Sequence, residues 1–279
     1  MADQPFSFEL FPPKTEAGME KLKTQVRELD AARPEYFSVT YGAGGSTRDR
    51  TFATVDWLLE QGIETAPHLS CIGADRAETL DILDRYRKEG VRRVIALRGD
   101  LPSGAGLGGL GELNHANELV ALIRGNFGPA FRIEVAAYPE VHPQAPSATV
   151  DLDNFRRKVD AGADAAITQY FFNADAYFRF VERCRDRGID IPIIPGIMPI
   201  TNYVNLVRFS DACGAEIPRW LRRRLEDFGE DLEALRKFGA EVVSELCTRL
   251  LRGGAPALHF YTMNQAGPTL AICRNTGLA

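Results

Sequence analysis

The chain is poor in the groups that several common chemistries require. Of its 279 residues only six are lysines (Lys14, Lys21, Lys23, Lys88, Lys158 and Lys237), and only four are histidines and five cysteines. A Schiff-base aldolase needs a desolvated lysine at a strand end, and none of the six falls on an expected one. His68, His115, His142 and His259 form neither an H-E-x-x-H helix nor an H-x-H strand, so a metal hydrolase lacks its ligands. Cys71, Cys184, Cys213, Cys247 and Cys273 are odd in number, widely spaced and contain no C-x-x-C pair. That pattern argues against a disulfide framework or zinc knuckle and predicts reduced thiols in the cytoplasm.

Other absences narrow the partners. No apolar run nears the roughly 18 residues of a membrane span, and Met1-Ala2-Asp3-Gln4-Pro5 does not open an export signal. A net charge of −5 leaves no electrostatic footprint for nucleic acid. The basic cluster Arg219 and Arg222-Arg223-Arg224 is flanked by Glu216, Glu226 and Asp227, as on a solvated helix face. Neither a Walker A sequence nor G-x-G-x-x-G occurs, and Gly42-Ala43-Gly44-Gly45-Ser46 has the wrong spacing. A bound nucleotide must be held in another way.

What the chain does have is size, a 45% hydrophobic content and a repeat. Short apolar runs at 6–11, 36–41, 65–72, 93–97, 132–138, 165–171, 191–197 and 257–261 alternate with longer segments of helical period. Leu22, Val26 and Leu29 mark one helix, and Leu80, Leu83 and Tyr86 another. Helices are expected at 17–32, 47–61, 77–89, 116–124, 152–161, 174–187 and 203–213, with a pair covering 218–252. Eight strand–helix units with right-handed crossovers predict one α/β domain over 1–279, a (β/α)8 TIM barrel of about the usual 250 residues. An open doubly wound sheet is the alternative, and Pro12-Pro13-Lys14 in the first turn argues against it.

In such a barrel the chemistry lies at the C-terminal strand ends. Read in order, those ends carry Glu9, Thr40-Tyr41, His68 and Ser70, Arg98-Gly99-Asp100, Tyr138 with His142, Thr168-Gln169, and Tyr261 with Asn264. Glu9, in the apolar strand Ser7-Phe8-Glu9-Leu10-Phe11, is either a core-edge glutamate bonded to a distant arginine or a proton donor. Six glycines between Gly99 and Gly111 let backbone amides approach a ligand, or make a simple linker. Arg157-Lys158, one turn after Asp151-Leu152-Asp153-Asn154, suit a diphosphate or form a solvated pair, and spacing does not choose.

As an ordered set, these segments resemble the methylenetetrahydrofolate reductase family. The matching stretches are Phe8-Glu9-Leu10-Phe11-Pro12-Pro13, Ser38-Val39-Thr40-Tyr41-Gly42-Ala43, Ala66-Pro67-His68-Leu69, Ala96-Leu97-Arg98-Gly99-Asp100, Ala136-Ala137-Tyr138-Pro139-Glu140-Val141-His142-Pro143, the run from Arg157 to Ala163, Ile167-Thr168-Gln169, and His259-Phe260-Tyr261-Thr262-Met263-Asn264. The resemblance covers residue 6 to about 275. It implies a flavin barrel in which NADH or NADPH reduces FAD, and the reduced flavin then passes hydride to methylenetetrahydrofolate to give methyltetrahydrofolate, in one-carbon metabolism and methionine biosynthesis. A homo-oligomer is implied as well.

By the same resemblance Glu9 is the acid that protonates the folate N10, and Asp100 tunes the flavin and favours the cationic intermediate. Tyr41, Ala43, His68, Arg98, Gly99, Tyr138, His142, Ala145, Asp151, Asn154, Arg157 and Lys158 hold FAD, joined by His115 and Ala116. Thr40 and Gln169 serve the nicotinamide or the pterin, and Phe209 stacks on the aminobenzoate or the adenine. Two departures stand out. Gln265 follows Asn264 where the family usually has an arginine, removing a charge-assisted bond to folate, and the glycine-rich segment 104–111 is longer than usual. Gln265 keeps open a non-catalytic folate-binding relative, and another flavin barrel, such as a proline-dehydrogenase-like enzyme, is a third reading.

Overall fold

The computed structural model describes residues 4–41, 45–72, 75–99 and 112–279. Its strands are β1 (Phe6–Leu10), β2 (Phe37–Val39), β3 (Thr65–Ser70), β4 (Arg93–Leu97), β5 (Arg132–Ala137), β6 (Ala165–Thr168), β7 (Ile193–Ile194), β8 (Gly196–Ile197) and β9 (Leu258–Tyr261). All pairings are parallel, in the order β7-β6-β5-β4-β3-β2-β1-β9-β8. The expected (β/α)8 barrel is therefore present, with one strand in two pieces. Pro195 has no N–H for the ladder, so the run expected as one strand breaks there. Its first half pairs with β6 and its second with β9, and the Pro195 carbonyl accepts the His259 N–H at 3.0 Å.

The helices are α1 (Glu16–Asp30), α2 (Gly45–Glu60), α3 (Arg76–Lys88), α4 (Ala116–Phe127), α5 (Ala148–Asp160), α6 (Ala174–Arg185), α7 (Tyr203–Cys213), α8 (Arg219–Asp227), α9 (Leu232–Arg252) and α10 (Ala266–Thr276). In α1 the Thr15 hydroxyl caps the Gly18 N–H, and Leu22, Val26 and Leu29 line the buried stripe. Each such side chain contributes roughly 1.5–3 kcal/mol by leaving water. Helix α5 starts four residues before its expected first residue, because Ser147 caps the Val150 N–H. Helix α10 was not expected: Gly267 and Pro268 look like breakers, but they occupy its first turn, where a missing N–H costs nothing. Among the described residues no helix is long and apolar enough to cross a membrane.

Strand alternation divides the interior into two layers. Phe6, Phe8 and Leu10 face the helices in the large core, whereas Tyr36, Ala66, Ile95, Ala165, Ile167, Ile194 and Ala257 form a second cluster inside the barrel. Ser7 and Glu9 alternate with the three apolar residues of β1 and so face the barrel interior. Glu9 sits in register with Ser38 on one side and Tyr261 on the other.

Candidate functional site at the barrel mouth

The end of β1 is held from the far end of the chain. The Thr262 hydroxyl donates to the Glu9 carbonyl at 2.6 Å. Asn264 brackets Phe11, accepting its N–H at 3.0 Å and donating to its carbonyl at 2.8 Å. Met263 and Asn264 both take positive φ to reach that position. Asn tolerates the left-handed region, but a β-branched residue would strain it. Gln265 is exposed, and its N–H donates to the Thr262 carbonyl, two steps from Glu9 along this clamp.

Glu9 itself is 21% exposed, and its ion-pair contacts among the described residues are histidines, with no lysine or arginine in range. Its Oε2 lies 3.5 Å from His68 Nε2 and 3.9 Å from His259 Nε2. Burial pushes the His68 pKa down, against the opposing pull of Glu9, so the imidazole is neutral at physiological pH. Among the described residues His68 Nε2 is buried without a hydrogen-bond partner. His259 is fully buried, with Nδ1 2.7 Å from the Ser7 hydroxyl and Nε2 3.4 Å from that of Ser38. The partnership of Ser7, Ser38 and His259 escaped the sequence reading. The one local signal was Ser7, two residues before Glu9 and hence on the same face.

A second group of polar residues follows β4 and β5. Gly99 has φ +86, and a Cβ there would fall 1.9 Å from the Ser70 hydroxyl, so only glycine fits. Arg98 donates to the Gln144 side chain. The rings of Tyr138 and His142 meet edge to face at 4.5 Å, and Asp151 accepts the His142 N–H at 2.9 Å. Asp151 stands in the first turn of α5, whose N-terminus thus ties to the β5 loop.

Lys158 is not a solvated cation. Its ammonium turns inward to the Ala136 carbonyl at 2.5 Å, and burial pulls its pKa down to about 8, with Asp151 opposing. Arg157 is exposed and donates to Asn154 at 3.1 Å. The Ala145 N–H closes a turn onto the His142 carbonyl at 2.9 Å.

Other expected site residues occupy separate elements. Thr40 follows the last residue of β2, its N–H bonded to the Leu10 carbonyl at 2.9 Å, and Tyr41 comes next, half-buried. Gln169 follows the last residue of β6, its N–H bonded to the Ala137 carbonyl at 2.8 Å. Phe209 lies half-buried on α7 beneath the Arg208 guanidinium. Exposed His115 precedes α4, which begins at Ala116; Glu118 closes that start by accepting the Asn114 N–H at 2.7 Å. Ala43, Asp100 and the glycine-rich segment 104–111 lie outside the described residues. Cys71 faces the helix layer rather than the barrel, and burial pushes its thiol up to about 11, which disqualifies it as a nucleophile.

Comparison with known proteins decides the family. Residues 1–277 match methylenetetrahydrofolate reductase. The chain belongs to that family. A 5,10-methylenetetrahydrofolate reductase of Salmonella typhimurium is 43% identical over 98% of this chain and 90% of its own length. A rice relative, named a probable methylenetetrahydrofolate reductase (NADH), is 39% identical over 98% of this chain and 48% of its own. Among solved structures, a Clostridium thermocellum protein described as binding two copies of 5-methyl-5,6,7,8-tetrahydrofolic acid superposes with a TM-score of 0.67 at 17% identity, covering 98% of this chain and 93% of that one. That last likeness bears on fold alone.

Proposed function

We infer that this protein reduces 5,10-methylenetetrahydrofolate to 5-methyltetrahydrofolate with NADH or NADPH, through bound FAD. The reading rests on one observation above the others: a half-buried carboxyl group at the barrel mouth, Glu9, whose charged-group neighbours are histidines rather than a lysine or arginine. A carboxyl group without a cation to hold it as a permanent anion is suited to carry a proton to a substrate. The names of the relatives supply the substrate, and the name of the rice relative favours NADH.

The residues present fit a flavin dinucleotide. His68 Nε2 is a buried polar atom lacking a hydrogen-bond partner among the described residues, and Lys158 holds a buried ammonium near the end of β5 at the cost of desolvation. Lys158 and Arg157 would take the diphosphate from the last turn of α5, not from a helix N-terminus as the spacing suggested, and Arg98, Gly99, Tyr138 and His142 the remainder. When bound, FAD supplies the acceptance of hydride from the nicotinamide and its donation to the folate. Glu9 holds the proton for the folate N10, so that the five-membered ring opens and leaves a methylene iminium as hydride acceptor. The Thr262 and Asn264 clamp keeps Glu9 at the mouth while substrates exchange. Asp100, Thr40, Gln169 and Phe209 complete the proposal at the flavin, nicotinamide and pterin positions, and Gln265 stands beside the folate tail.

The same reading makes the protein a cytoplasmic homo-oligomer in the supply of methyl groups for methionine. Purified protein tests the core of it. It should take up FAD, turn yellow, bleach with NADH or NADPH and recolour with methylenetetrahydrofolate. Protein that binds folate but never takes up flavin would overturn the enzyme reading.

A further inference from the structure

Within the run Tyr138-Pro139-Glu140-Val141-His142-Pro143, Glu140 and Val141 have no part in the reaction as described. They stand between Tyr138 and His142, whose rings meet edge to face, and Val141 holds φ +80. A β-branched residue avoids that region of backbone space, and stays there only where contacts on either side over-determine the turn. On one side the His142 N–H donates to Asp151 at 2.9 Å, tying the loop to α5. On the other stands Glu140. Its half-buried carboxyl accepts the Glu216 N–H at 2.8 Å, across 76 residues of sequence. Burial pushes the Glu140 pKa up, with the Glu216 N–H opposing, so the carboxyl sits here against its preference for water.

Glu216 lies in the short connection between α7 and α8, and that connection meets the loop a second time. Gly214 has φ +75, and a Cβ there would come 3.0 Å from Pro143 Cγ, so the two backbones approach closely. The gap left between them, beside Gln169 and Tyr170, is about 10 Å³, no more than one water needs. Gly214 also ends α7, its N–H donating to the Ser210 carbonyl at 2.8 Å. Ser210 is buried, its hydroxyl 3.0 Å from that of Tyr170, and the Tyr170 N–H donates to the Gln169 side-chain oxygen at 2.9 Å. One joint therefore links the loop of Tyr138 and His142 to the helix of Phe209, with Gln169 at its edge.

We propose that Glu140 is a positioning residue that joins the β5–α5 loop to the end of α7, so that Phe209, next to Ser210 in that helix, keeps a fixed place relative to the flavin. Without the Glu140 acceptor, Val141 is free to leave its strained φ, and loop and helix can part. This inference rests on the proposed function, in which Tyr138 and His142 meet the flavin and Phe209 the folate. It adds that the flavin side and the folate side of the site are held in register by a residue that touches neither.

The test is stopped-flow reoxidation of the reduced protein, at saturating FAD, over a range of methylenetetrahydrofolate concentrations. Glu140→Ala should raise the half-saturating folate concentration by about fivefold or more, while the limiting rate, which depends on Glu9, stays within about twofold. Glu140→Gln keeps an oxygen for the Glu216 N–H and should stay within about twofold of wild type, which separates the bond from the charge. Phe209→Ala should raise the same concentration, and adding Glu140→Ala to it should change it little further, because one residue acts through the other. Gly214→Ala, which pushes Pro143 away from the connection, should behave like Glu140→Ala and carries the test if that variant does not fold. An unchanged half-saturation in folded Glu140→Ala or Gly214→Ala, a loss as large in Glu140→Gln as in Glu140→Ala, or additive effects of Glu140→Ala and Phe209→Ala would each overturn the proposal. Failure of the underlying reading looks different: wild-type half-saturation in Phe209→Ala removes Phe209 from the folate site and the proposal with it, and a wild-type protein that never takes up FAD removes the enzyme.

Discussion

At the floor of the barrel Glu134 is fully buried and surrounded by donors from Tyr36, Arg93 and Arg132; at the mouth His68 is also buried, yet its Nε2 meets no hydrogen-bond partner among the described residues. The cations differ in the same way. Arg93 at the floor pairs with Glu134 and stacks at 4.0 Å on the Tyr36 ring, so even its unbonded Nε sits in a favourable place. Lys158 at the mouth has a carbonyl as its hydrogen-bond partner, and its ammonium is destabilised by burial. Polar groups that find partners within the chain stabilise the fold, and those left short of partners are available to a ligand.

Substitutions at the two ends should separate these roles. The largest effect on stability is expected from Arg93→Met. It leaves the Glu134 carboxylate buried beside the more distant Arg132 and should cost about 3 kcal/mol, read as a lower melting temperature, with FAD affinity held within about twofold. Equal losses of stability and FAD affinity would break the contrast between floor and mouth. Lys158→Met should do the reverse, weakening FAD binding by about 10- to 100-fold while leaving the apoprotein as stable or more stable.

A pH dependence follows from the same lysine. With its folded pKa pulled down to about 8 and an ordinary value in the unfolded chain, both states hold the proton below about 8, and the buried charge costs stability there. As pH rises through about 8 the folded form loses the charge while the unfolded form keeps it, so this contribution raises stability. FAD affinity should fall over the same interval, as the cation disappears, and Lys158→Met should abolish both trends. The smallest effect belongs to the scaffold: Ser147→Ala removes the α5 cap and should cost about 1 kcal/mol in a thermal melt, with little change at the active site.

Local pattern was enough for much of the fold. Strand 93–97 and helix 203–213 occur with their expected bounds, because alternation and helical period are properties of neighbouring residues. The split at Pro195 and helix α10 were misjudged for one reason: proline and glycine act differently by position, and position within an element is set by tertiary pairing. For the candidate site, the place of Glu9 near the end of β1 was legible because a strand end can be read from a short window. Its surroundings were not, since Ser7 and His259 stand 252 residues apart and meet only when the barrel closes. Lys158 illustrates the same limit. Spacing left it either a diphosphate ligand or a solvated cation, and the inward turn to Ala136 removes the second.

Glu9 carries the account, and stopped-flow kinetics of Glu9→Gln test it most directly. Reduction of bound FAD by NADH requires no acid and should proceed within about twofold of wild type, whereas oxidation of the reduced protein by methylenetetrahydrofolate should slow by at least about 100-fold. Oxidation by the folate at the wild-type rate would contradict the assignment of Glu9 as the proton donor.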